Sequence, residues 1–198
     1  MDDDTREAVM AATYRALCRH GYAELTTQRI ADEWGKSKAA LHYHYDTKEE
    51  LLRAFLDYLL DRFESRLACE SADPRVRLDS FVDAVFAPAE ADDDSRAFAV
   101  ALLELKAQAP YTEPYRDRLA ALDERLRETV ASAVRDGIEA GHFRAVDPDA
   151  VARFVVTAID GAHVREVTLD ESPAAGRRLV EAYLDDVLGR GNEPEVPV

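Results

Sequence analysis

The sequence predicts an all-α chain of about nine helices. An N-terminal three-helix unit with a helix-turn-helix is joined by a long helix to a larger helical domain. Three observations predict this. Apolar residues recur every three or four positions along nearly the whole chain, and no stretch keeps a two-residue alternation. Ser, Thr and Asp stand where helices would begin, and Gly or Pro where they would stop. The 198 residues, 47% of them hydrophobic, suffice for a small domain joined to a larger one.

The elements follow in order. Residues 4–20 put Val9, Ala12, Ala16 and Leu17 on one stripe, and Gly21 is placed to stop that helix. Thr26 or Thr27 caps a short helix to about Trp34, ended by Gly35. Ser37 caps a second short helix ending near His44. Thr47 caps the long helix, and Glu50, three residues on, completes a capping box. Its apolar stripe of Leu52, Phe55, Leu59, Phe63 and Leu67 reaches to about Cys69. Asp73-Pro74 opens a helix with Leu78, Phe81, Val82 and Val85 that closes at Pro88. The acidic run from Ala91 starts the next, with Phe98, Leu102 and Leu105, ending at Pro110. Leu119, Leu122, Leu126 and Val130 mark a helix closed by Gly141. Asp147-Pro148 and Ser172-Pro173 start the last two, and residues 191–198 form a fraying tail. The predicted boundary lies inside the long helix near residues 47–50. Residues 1–47 are then the helix-turn-helix unit, and 48–190 the larger helical unit.

Charge sets one segment apart. The net charge is −15, from 25 Lys and Arg against 40 Asp and Glu. Only Lys36, Lys38, Lys48 and Lys106 are lysines, and three of them fall within residues 26–48. That window holds four bases against three acids, so it is positive while the remainder is strongly negative. An Asp-rich, Lys-poor composition resembles proteins adapted to a salt-saturated cytosol, which suggests a halophile. Such charge argues against binding nucleic acid by bulk field, so any such site is local. Cys18 and Cys69 form neither a disulfide framework nor a metal-type spacing. The acidic start MDDDTREAVM reads as no export signal, and no apolar run approaches a membrane span. The expectation is a cytoplasmic protein with no membrane partner and no cofactor.

Chemistry concentrates in TTQRIADEWGKSKAALHYHYDTKEELL. Two short helices around WGKS make a helix-turn-helix, whose second helix presents its first turn to the major groove. Ile30, Ala31, Trp34 and Leu41 would pack the crossing. Lys38 suits guanine O6 or N7, and Ala39 and Ala40 allow close approach and thymine-methyl contact. Lys48, at the start of the next helix, suits a phosphate.

The stretch LTTQRIADEWGKSKAALHYHYDTKEELL resembles the DNA-binding region of the tetracycline-repressor (TetR) family. EAVMAATYRALCRHGY resembles the family's first helix, and VRDGIEAGHFRAVDPDAVARFVVTAIDGA a C-terminal regulatory domain common in it. The resemblance implies that Thr27 holds a phosphate and Gln28 reaches toward bases. It implies that Lys38, Ala39 and Ala40, after Ser37, read bases. Tyr43 then contacts backbone, and His44 and Lys48 grip phosphates. His42 stands where the family usually has Tyr, and Lys36 replaces a small apolar residue and adds a phosphate contact. The resemblance also implies a homodimer and a small-molecule effector of unknown identity.

The remaining candidates have plainer alternatives. Phe81, Val85, Phe98, Leu102, Tyr111, Tyr115 and Phe154 line an effector cavity or simply fill a core. Ile159, Gly161, Ala162, Val180, Tyr183, Leu184 and Val187 are candidates for the dimer seam. Gly161 inside an apolar helix is costly unless a neighbour comes close. His42 and His44 do not face one way on a helix, and His163, Glu166 and Asp170 suit a solvated or seam face better than a metal. With no Gly-rich phosphate loop, nucleophile elbow or His/Asp/Ser constellation, an enzyme is not expected. The best reading is a ligand-responsive DNA-binding regulator, a repressor, acting on a palindromic double-stranded operator. The alternative is a helical small-molecule-binding or protein-interaction module that does not bind DNA.

Overall fold

The computed structural model describes residues 1–67, 71–87 and 95–190; the side chains of 63, 64, 66, 67 and 95–98 are outside the description. Cys69, Pro88, residues 91–94, the tail from 191 and the Phe63, Leu67 and Phe98 side chains therefore lie outside the described residues. Among the described residues there are nine helices and no strand: α1 (Asp3–Glu24), α2 (Thr27–Trp34), α3 (Lys38–His42), α4 (Lys48–Leu67), α5 (Pro74–Phe86), α6 (Ser95–Lys106), α7 (Glu113–Glu139), α8 (Pro148–Leu169) and α9 (Pro173–Leu188). They pack as two compact units that do not follow chain order: Met1–Glu64 with Pro88–Ala120, and Ser65–Ala87 with Ala121–Val198.

In the first unit, α1 packs against α2 and α6. Val9, Met10, Ala16 and Leu17 of α1 are buried with Ile30, Ala31, Leu41, Leu51, Leu52, Phe55 and Leu105. α1 does not end cleanly at Gly21. Gly21 takes φ +67° and kinks the helix, which runs on to Glu24. Glu104 of α6 meets the kink: its carboxylate accepts the Tyr22 N–H, and a Cβ on Gly21 would lie 3.0 Å from it. Buried Thr13 donates to the Val9 carbonyl at 2.9 Å, which satisfies a hydroxyl that burial would otherwise penalise.

In the second unit, α9 packs against α8 and α5. Gly176 of α9 makes the close approach: a Cβ there would lie 2.4 Å from the Ala162 Cβ. The Arg144 N–H donates to the Leu188 carbonyl at 2.9 Å, and its guanidinium reaches the carbonyls of Asp186 and Val187. These are carbonyls that the last turn of α9 leaves unsatisfied.

Candidate nucleic-acid interface

Local caps set the helix-turn-helix. The Thr26 hydroxyl accepts the Arg29 N–H and starts α2. Gly35, at φ +72°, ends it in a Schellman arrangement: Lys36 N–H donates to the Ala31 carbonyl and Gly35 N–H to Asp32. Ser37 accepts the Ala40 N–H at 3.1 Å and starts α3. These three positions match the caps read from the sequence. α3 ends at His42, two residues before the expected His44. At α4 the capping box is shifted: Thr47 accepts the Glu50 N–H, but the Glu50 carboxylate takes the N–H of Asp46 rather than of Thr47.

This construction leaves one rim open. Lys36, Ser37, Lys38 and Ala39 are exposed and Ala40 is half-buried, while Leu41 beside them is 1% exposed. Among the described residues neither Lys36 nor Lys38 makes an ion pair. Tyr43 is 85% exposed and His42 is exposed. His44 is half-buried between Tyr43 and Trp34, ring centroids 5.1 and 6.1 Å away. Trp34 packs on the core, as expected of its bulk. Thr27 is half-buried and Gln28 exposed, with the Gln28 amide donating to Asp32 at 2.7 Å.

One acid of the segment, Glu33, is neutralised from outside it. Glu33 carries the guanidinium of Arg19 at 2.6 Å and that of Arg15 at 3.6 Å, and only 12% of its side chain is exposed. Arg29, by contrast, is held by Glu24 and adds little free charge. The arginine partners come from α1, more than a dozen residues away, so spacing within the motif does not disclose them.

Lys48 is placed differently from the expected phosphate contact. Its ammonium donates to the Leu25 carbonyl at 2.8 Å and the Tyr22 carbonyl at 3.4 Å, and it sits over the Tyr22 ring at 4.6 Å. Burial pushes its pKa below the usual lysine value. In this structure the side chain ties the start of α4 to the end of α1.

The expected effector and seam residues scatter. Tyr115 is buried in the first unit's core and Leu102 is half-buried in that unit. Tyr111, at 87% exposure, stands on the surface of the turn between α6 and α7 rather than in a cavity wall. Phe81 and Val85 are buried in the second unit, where Phe154 is half exposed and packs its ring, tilted, against Tyr183 at 4.0 Å between centroids. Of the seam residues, Ile159, Val180 and Leu184 are at most 3% exposed, so they fill the interior of the second unit instead of its surface. Ala162 is taken by Gly176. Gly161 is exposed, with no atom of the described residues outside its own helix backbone within 4 Å of its Cβ position, and Tyr183 and Val187 are half-buried. Leu179 of α9 is 73% exposed. His163 is half-buried, its Nε2 3.2 Å from the Val85 carbonyl and its ring beside Phe86. No helix among the described residues is long and apolar enough to cross a membrane.

Comparison with known proteins gives these features a context. Residues 9–55 match the tetR family of bacterial regulatory proteins, and residues 74–189 match the C-terminal family of BetI-type transcriptional repressors. The chain is 28% identical over 194 residues to the transcriptional regulator BetI of Agrobacterium fabrum, covering 93% of this chain and 88% of that one. It is 31% identical over 144 residues to the transcriptional repressor KstR2 of Mycobacterium tuberculosis, covering 70% of each. A TetR transcription regulator from Haloarcula marismortui superposes with a TM-score of 0.89 at 45% identity, covering 94% of this chain and all of that one. With a capped helix-turn-helix, an open basic rim and an all-helical remainder, the chain belongs to the TetR family and is a DNA-binding, ligand-responsive transcriptional regulator, not an enzyme.

Proposed function

We propose that the chain acts as a homodimeric repressor that reads a palindromic operator with α3. Residues 1–47 serve as the reading head and 48–190 as the regulatory and dimerisation part. The observation that carries this is the open rim from Lys36 to Ala39, with its two lysines in no ion pair among the described residues. Lys38, Ala39 and Ala40 meet base edges, and Lys36 and Tyr43 meet backbone. Thr27, Gln28, Ser37, His42 and His44 flank them. Pairing uses the exposed apolar surface of α8 and α9 around Phe154, Gly161, Leu179 and Tyr183. Twofold pairing sets two α3 helices about 34–36 Å apart, one turn of B-DNA, or a multiple of it. The effector binds the operator-incompetent arrangement more tightly and so lowers operator affinity.

The test is a gel shift on the DNA upstream of the protein's own gene, across a potassium chloride series. The wild type is expected to retard that DNA specifically. Lys38→Ala is expected to lose about 1–3 kcal/mol at one base position. A folded dimer that retards no sequence at any salt concentration would favour the module without DNA binding.

A further inference from the structure

We infer that a cleft between the first turns of α4 and the start of α7 binds a small zwitterion of the α-amino-acid class. The cleft encloses about 310 Å³ and is lined by Thr47, Glu49, Glu50, Arg53, Thr112, Pro114 and Tyr115, all in the first unit. That volume lies at the small end of organic-ligand sites, enough for a molecule of amino-acid size. Three features of its lining call for an occupant.

The first is Tyr115. It is 1% exposed, and its hydroxyl is buried with no hydrogen-bond partner among the described residues. An unsatisfied buried hydroxyl costs free energy that a ligand acceptor would recover. The second and third are Glu49 and Arg53. They are four residues apart on α4, the spacing at which Glu and Arg pair along a helix. Both are exposed, yet among the described residues they form no ion pair with each other or with any other residue. Glu50, by contrast, is occupied by the Asp46 N–H, so Glu49 is the anion with capacity to spare.

An α-amino acid carries an ammonium and a carboxylate one carbon apart. Its ammonium meets Glu49, its carboxylate meets Arg53, and an oxygen accepts from the Tyr115 hydroxyl. Thr112 offers one more hydroxyl. The site adjoins the turn whose Lys48 holds the end of α1, so filling it bears on the reading head; that consequence alone rests on the proposed regulator function.

The experiment is isothermal titration of the full-length protein with each of the common free α-amino acids. The N-acetyl and amide derivatives of any binder serve as controls. At least one amino acid is expected to bind, with each derivative at least tenfold weaker. Glu49→Gln and Arg53→Gln, both at exposed positions, are each expected to weaken binding tenfold or more with an unchanged circular dichroism melt. Tyr115→Phe is expected to weaken it severalfold. Absence of binding by every amino acid, or binding indifferent to Glu49→Gln and Arg53→Gln, overturns the site. Operator retardation measured without added amino acid tests the regulator reading separately: a protein that retards DNA but binds no amino acid loses the cleft proposal alone.

Discussion

The carboxylate of Glu104, on α6, accepts the backbone N–H of Tyr22 at 2.6 Å, one residue past the kink of α1. A helix that joins the reading head is thus fastened to α6 by a charge-assisted bond as well as by apolar packing. Glu104→Ala leaves that N–H without its acceptor in a part-buried place, at a cost of about 1–3 kcal/mol. For a chain of this size each kcal/mol lowers the melting temperature by roughly 2–4 °C. Calorimetry and amide exchange measure it, and the Tyr22 amide is expected to exchange faster than its neighbours.

Lys48 and Lys36 are separable by salt. Lys48 is engaged with the carbonyls of Leu25 and Tyr22, whereas Lys36 is exposed. Lys36→Ala is expected to flatten the slope of log affinity against log salt by about 0.9 per reading head. Lys48→Met is expected to weaken every DNA sequence alike, by loosening α1 against α4, and to leave the slope unchanged. Fluorescence anisotropy across a potassium chloride series reads both. A flattened slope for Lys48→Met would mean that its ammonium leaves the protein for a phosphate on binding.

Burial, with the negative charges of Tyr22 and Glu49 as lesser causes, pushes ionisation of Tyr115 well above the ordinary tyrosine value of 10.0. The unfolded chain releases that proton near pH 10 while the folded chain retains it. The associated stability is present below pH 10 and is lost as pH rises towards the folded value. Urea unfolding at stepped alkaline pH is expected to show that fall, and Tyr115→Phe is expected to reduce it. Tyr22, Tyr45 and Tyr58 are shifted in the same direction, so part of the fall persists in the variant.

Gly161 and Gly176 are expected to differ sharply. A side chain at 176 collides with Ala162, so Gly176→Leu costs about 1–3 kcal/mol or more by overpacking and lowers the melting temperature. At 161 no atom of the described residues outside its own helix backbone lies within 4 Å. Gly161→Leu is expected to leave the circular dichroism spectrum intact and to shift sedimentation towards the monomer. A Gly161→Leu variant that stays fully dimeric would place the seam elsewhere.

Legibility followed the range of the interactions. Thr26, Gly35 and Ser37 were readable because each cap acts on backbone groups within a few residues of itself. The fate of Lys48 was not, because its partners lie 23 and 26 residues back and are backbone carbonyls, which no side-chain pattern reveals. Glu33 is similar, its neutralising arginines coming from α1. Ile159 lies on the apolar stripe of α8 and Val180 and Leu184 on that of α9, but a stripe does not say whether the same chain or another copy covers it. Gly161 and Gly176 are indistinguishable by type, and only the neighbouring helix tells the open one from the filled one.

Gly21 is held by two independent restrictions, its own torsion and the neighbouring Glu104. The left-handed φ of Gly21 disfavours any side chain there, and the carboxylate 3.0 Å from its missing Cβ disfavours one again. Losing the acid would relieve the crowding but not the torsion, so drift at position 104 does not free position 21. The pair should therefore be inherited asymmetrically: lineages that keep the acid keep the glycine, while lineages that keep the glycine can shed the acid.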